Sequence, residues 1–209
     1  MRLTLTLKTV AAVAVLLAGS SPAFADDLNP PPWARGGPGT TFQQWEFSGP
    51  SPTPPPDVVN NPYGMPSLHA YPGTNQFWVD LWGGHQGMWP LSGTVEVDIP
   101  NRPQPFPYKD IWVQLTWAKQ VPSSTPVVWD FLHGVYGSLV NEIVLGPAPT
   151  GFWYHSTFLI HLEPNPASEI VKIDGTVVLD ELVIDTICAP EPATIALLGF
   201  AALAILRRR

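Results

Sequence analysis

Glu96 and Asp98 are the side chains whose types and spacing come nearest to a catalytic pair. Two residues apart in an alternating segment, they share one face of a strand, about 6.6 Å from each other along it. Retaining glycoside hydrolysis uses two carboxyl groups about 5–5.5 Å apart, one as nucleophile and one as acid/base. The competing assignment is two solvated carboxylates on the outer face of a sheet. A second group is the loop Trp82-Gly83-Gly84-His85-Gln86-Gly87-Met88-Trp89. It lacks the lysine and the following helix of a phosphate loop. Flat indoles stack on sugar faces, so Trp82, His85 and Trp89 make a candidate glycan-binding set. Indoles also serve as buried bulk, and with nine tryptophans in the chain some must do so.

Trp153, His155 and His161 alternate onto the polar face of another strand. His155 and His161 stand roughly 20 Å apart if the strand is extended, too far to share a metal, and both read as surface histidines. There is no Gly-x-Ser-x-Gly elbow. Cys188 is the only cysteine, which excludes an internal disulfide and a cysteine-built zinc site. It reads as a free thiol, an intermolecular partner, or an incidental residue at a strand end. No cofactor or metal is expected; a structural Ca²⁺ near Asp180 or Asp185 has nothing in the sequence to support it.

The elements that must position these residues are strands. Period-two alternation runs through 76–82, 94–99, 110–119, 152–162, 169–174 and 176–187, with Pro and Gly between. That pattern predicts half-buried antiparallel strands in an all-β sandwich. Within 152–162, Phe152, Tyr154, Phe158, Ile160 and Leu162 should face the core. Residues 26–75 read as an irregular lead-in rich in Pro and Gly, with one edge strand at 41–47 that joins the body at 76–188.

Both ends of the sequence carry addressing signals. Arg2 and Lys8, the apolar run Val10–Gly19 and the small-x-small site Ala23-Phe24-Ala25 predict a signal peptide over 1–25, cleaved before Asp26. At the other end Pro190-Glu191-Pro192 precedes an uncharged run of fourteen residues, 193–206, and Arg207-Arg208-Arg209. As a helix that run is roughly 21 Å long, short for a bilayer core of about 30 Å, which suits a temporary hold. The terminal arginines favour the cytoplasmic side, leaving the body outside.

Ala189 to Thr194, the apolar run and the basic end resemble the PEP-CTERM sorting signal. The resemblance implies processing by exosortase, a membrane-embedded cysteine transpeptidase, and a setting among exopolysaccharide-producing cells. Residues 175–185 resemble the closing strand of jelly-roll carbohydrate-binding and lectin-like modules, which implies a jelly-roll sandwich. Trp89 to Gly93 followed by Glu96 to Asn101 resembles the jelly-roll glycosidases of the laminarinase type, whose catalytic strand reads Glu-x-Asp-x-(x)-Glu. Asn101 stands where that pattern places the acid/base, and an amide cannot supply its proton.

Residues 26–189 carry five Lys and Arg against sixteen Asp and Glu, a net charge of −11. Such a body repels nucleic acid, and a membrane-surface role is disfavoured for the same reason. The expectation is an exported, non-catalytic protein of the cell surface or extracellular matrix that binds polysaccharide. It meets the membrane only through the C-terminal helix, before processing. The alternatives are a divergent glycoside hydrolase using Glu96 and Asp98, and a purely structural matrix protein.

Overall fold

The computed structural model describes residues 27–103 and 106–189. The expected signal-peptide segment with Ala23 and Ala25, the motif residues Pro190, Glu191 and Pro192, and the expected helix 193–206 lie outside these described residues. Within them the chain is all-β and every strand pairing is antiparallel.

Eleven strands follow in order: β1 (Thr40–Trp45), β2 (Val58–Asn60), β3 (Ser67–Tyr71), β4 (Val79–Trp82), β5 (His85–Ile99), β6 (Tyr108–Lys119), β7 (Val127–Asp130), β8 (Val135–Tyr136), β9 (Ser138–Ala148), β10 (Gly151–Leu162) and β11 (Glu169–Ala189). The lead-in holds three strands where one was expected. Ser67–Tyr71 is short, yet it buries Leu68 and Ala70 and turns His69 and Tyr71 outward.

β11 organises the rest. Its first part pairs with β5 on one edge and β7 on the other; its last part pairs with β1 and β6. The first half-sheet is therefore β3-β5-β11-β7-β8, and the second is β2-β1-β11-β6-β10-β9. Side chains from both halves enclose one core, including Leu91, Val97 and Ile173 from the first and Trp45, Leu115 and Ile160 from the second. Full burial of such side chains contributes about 1.5–3 kcal/mol each.

A β-bulge lets one strand serve both halves. Register with β6 slips between Leu179 and Glu181, leaving Asp180 as the extra residue. Before it the odd residues Val171, Ile173, Val177 and Leu179 enter the core; after it the even residues Leu182 and Ile184 do. An uninterrupted period of two would have pointed Glu181 and Asp185 inward. The alternation divides this segment at Gly175, into 169–174 and 176–187, whereas the chain runs through Gly175 as one strand.

A second, smaller core of Met88, Ala118, Trp153 and Val178 lies on the outer side of the second half-sheet, with Val79 and Trp82 packed against it. It forms because the β4–β5 hairpin folds back over that face. Gly83 (φ +61°) and Gly84 (φ +88°) make its two-residue turn, the positive-φ pair that matches strand twist.

Candidate functional site

The tryptophan loop is a hairpin, and its residues are used structurally. Trp89 points into the main core, 5% exposed. Trp82 is half-buried with its ring edge-on to Trp153 at 5.5 Å. His85 stacks on Trp153 at 4.0 Å, and its Nδ1 lies 2.5 Å from Asp180 Oδ2. The bulge residue is thus held by the hairpin that covers it. Trp153 Nε1 donates to the Gly83 carbonyl at 3.1 Å. A Cβ on Gly83 would meet Pro149 at 2.8 Å, so this position has no room for a side chain.

Segment 27–39 covers the remainder of this outer face. Arg35 bonds Asp185 at 2.5 Å, also pairs with Asp27, and lies over the Phe42 ring. Asn29 donates through its backbone to Gln114 and through its side chain to Thr157, while Trp112 Nε1 donates to the Asn29 carbonyl. His155 is therefore buried, with Thr116 and Gln114 at its two ring nitrogens. This corrects the surface assignment of His155, and Trp153, expected on the polar face, is buried as well; of the three only His161, paired with Asp110 at 2.6 Å, is at the surface. Phe152, expected inside, is 51% exposed near the edge. Burial pushes the Asp185 carboxyl up to about 6 despite Arg35. Burial also pushes the Asp27 carboxyl up, but Arg35 and Gln114 outweigh it and hold the group below its usual value. With Asp180 and Asp185 each engaged by a basic side chain, neither is a vacant calcium ligand.

The first half-sheet presents the opposite situation. Its register puts His69, Glu96, Lys172, Trp129 and Tyr136 in one line across five strands. Four strand spacings make that line about 19 Å long. Tyr71, Thr94, Asp174 and Val127 form the adjacent line. His69 stacks on Tyr71 at 4.0 Å, and Trp129 stacks on Tyr136 at 5.6 Å. Lys172 bonds Glu96 at 2.5 Å and sits 3.7 Å from the centre of the Phe131 ring. Trp129 Nε1 donates to Asp174 Oδ2 at 2.6 Å, and the Thr94 hydroxyl donates to the other oxygen. Tyr71, Phe131 and Tyr136 remain 47%, 46% and 65% exposed. The face thus combines partly exposed aromatic rings at both ends with a fixed polar row between them.

Glu96 and Asp98 both lie on this face, as the alternation predicts. The Glu96 carboxylate is spent on Lys172, and Asp98 is exposed at the end of β5. Asn101 donates to Asn165 and to the Pro166 carbonyl, which pins two loops together.

Residues 189–209 match the family description "PEP-CTERM protein-sorting motif". The chain carries a PEP-CTERM sorting motif. That motif marks an exported protein, held transiently in the membrane before processing. No curated protein and no solved structure matches the chain.

The sorting motif follows directly on β11, whose end is locked into the fold. Cys188 is 1% exposed, and its thiol donates toward Asn101 Oδ1 at 3.2 Å and Asn165 Oδ1 at 3.4 Å. Burial pushes the thiol up from its usual range, which suits an inert group. Beside it, Lys109 and Glu169 are fully buried in mutual contact. Sequence reasoning missed both that pair and the aromatic line. Each depends on a register between distant strands, and no local spacing signals it.

Proposed function

We propose that the protein is an exported, non-catalytic polysaccharide-binding component of the cell surface or extracellular matrix. The outer face of the first half-sheet is its binding surface. The segment 1–25 is the export signal, and exosortase processing at Pro190-Glu191-Pro192 releases the body from the membrane. The line His69–Glu96–Lys172–Trp129–Tyr136 carries the reading: it is long, aromatic at both ends, and its polar groups are fixed by neighbours before any ligand arrives. Three carboxylates, Glu96, Asp98 and Asp174, against Lys172 disfavour anionic polymers. The ligand is therefore a neutral polysaccharide.

A second reading, hydrolysis by Glu96 and Asp98, draws on their place on this same face. The Lys172 contact and the amide at Asn101 speak against it, because neither leaves a proton donor where the laminarinase pattern needs one. Electrophoresis through gels containing soluble neutral glucans tests the proposal. Retardation should occur for the wild type and be lost in Trp129→Ala and Tyr136→Ala. Equal mobility with and without every glucan and the host's own matrix polysaccharide would favour the purely structural role. Glucan shortening that Glu96→Gln abolishes would favour the enzyme.

A further inference from the structure

Lys109 near the start of β6 and Glu169 at the start of β11 both point inward, at the end of the core nearest the sorting motif. They belong to opposite half-sheets. Each is 0% exposed, Lys109 Nζ contacts Glu169 Oε1, and Glu169 Oε2 has no hydrogen-bond partner. Two charges buried in this way cost more to desolvate than an apolar pair of the same size. A neutral covalent link would remove that cost and the unpartnered oxygen together.

We propose that Lys109 and Glu169 condense into an isopeptide bond within the folded domain. The proton of the ammonium passes to the carboxylate, giving an amine and a carboxylic acid. The Nζ lone pair then attacks Glu169 Cδ. The Cδ–OH bond breaks, the hydroxyl leaves with a proton from Nζ, and one water is released as the Nζ–Cδ amide forms. No oxidant or co-reactant is needed. The fold supplies contact between the reacting groups, so the encounter is already made, and it excludes the water that would reverse the step. Burial raises the affinity of Glu169 for a proton, and fully buried Asp130 adds to this, against the pull of Lys109. The product would tie β6 to β11 across the two half-sheets, where the chain leaves for its sorting motif. Force applied through that end would then meet a covalent staple.

This inference does not depend on polysaccharide binding. Intact mass of the mature protein, with its termini fixed by peptide mapping, tests it. The expected mass is one water below that of the sequence, with a branched peptide joining the segments that hold Lys109 and Glu169. The full sequence mass, with both segments recovered as linear peptides, overturns it. Lys109→Met and Glu169→Ala should each carry their full sequence masses; a one-water deficit persisting in either would place the dehydration elsewhere and also overturn it. If neither variant folds, the wild-type mass and map still decide.

Discussion

The outer face of the second half-sheet carries Trp112, Gln114, His155, Thr157 and Asp185, and the chain covers it with segment 27–39 and the β4–β5 hairpin. The outer face of the first half-sheet carries Tyr71, Glu96, Lys172, Trp129 and Tyr136; Phe131 from the β7–β8 turn packs over Lys172 and Trp129, and Tyr71, Phe131 and Tyr136 stay open to solvent. Both are polar-aromatic faces produced by the same alternation. On the covered face Gln114, His155, Thr157 and Asp185 each bond another part of the chain, and the aromatic rings are bulk. On the open face Tyr71, Phe131 and Tyr136 keep solvent contact, while the polar groups bond one another within the face itself. Composition does not separate the packing face from the proposed binding face here; what separates them is how much cover the chain itself supplies.

That contrast can be broken most forcefully at Arg35. Arg35→Ala leaves Asp185 buried without its basic partner, and removing one member of such a pair costs about 3 kcal/mol. Denaturant unfolding should show a midpoint shift of that size. On the open face, Trp129→Ala should cost less, no more than about 2 kcal/mol, because the ring is only partly buried and lies outside the core. It should instead weaken glucan binding at least about tenfold, a loss of about 1.4 kcal/mol in a titration.

A smaller effect concerns pH. The Asp185 carboxyl holds its proton more tightly folded, up to about 6, than unfolded. Its contribution to stability is therefore complete below about pH 4 and lost as pH rises through about 6. The melting temperature of the wild type should fall relative to Asp185→Asn over that window. A difference that stays flat would mean that Arg35 fully compensates the burial. The smallest change is expected for Glu96→Gln, on the open face. Stability should move by no more than about 0.5 kcal/mol, as for other partly exposed ion pairs, and binding should persist.

The all-β class was legible from the alternation at 94–99, 110–119 and 152–162, where each strand has one apolar face. Other features were not, for physical reasons. β11 is a single strand because a bulge at Asp180 absorbs the break in period, and only pairing with β6 reveals it. His155 reads as a surface residue because its own strand is amphipathic there; its cover comes from Asn29 and Gln114, far away in sequence. The Trp82–Trp89 loop drew notice by composition, yet it is a tight hairpin packed on Trp153. The aromatic line gathers one residue from each of five strands, so no stretch of sequence contains it.

The direct test of the open-face account is a spectrum of the nine indole N–H groups, assigned by single substitutions, during titration with soluble neutral glucans and the host's matrix polysaccharide. The account predicts that the Trp129 resonance moves with ligand while those of Trp112 and Trp153, on the covered face, stay in place. Movement at Trp82 or Trp153 without Trp129, or no movement with any polymer, would contradict it.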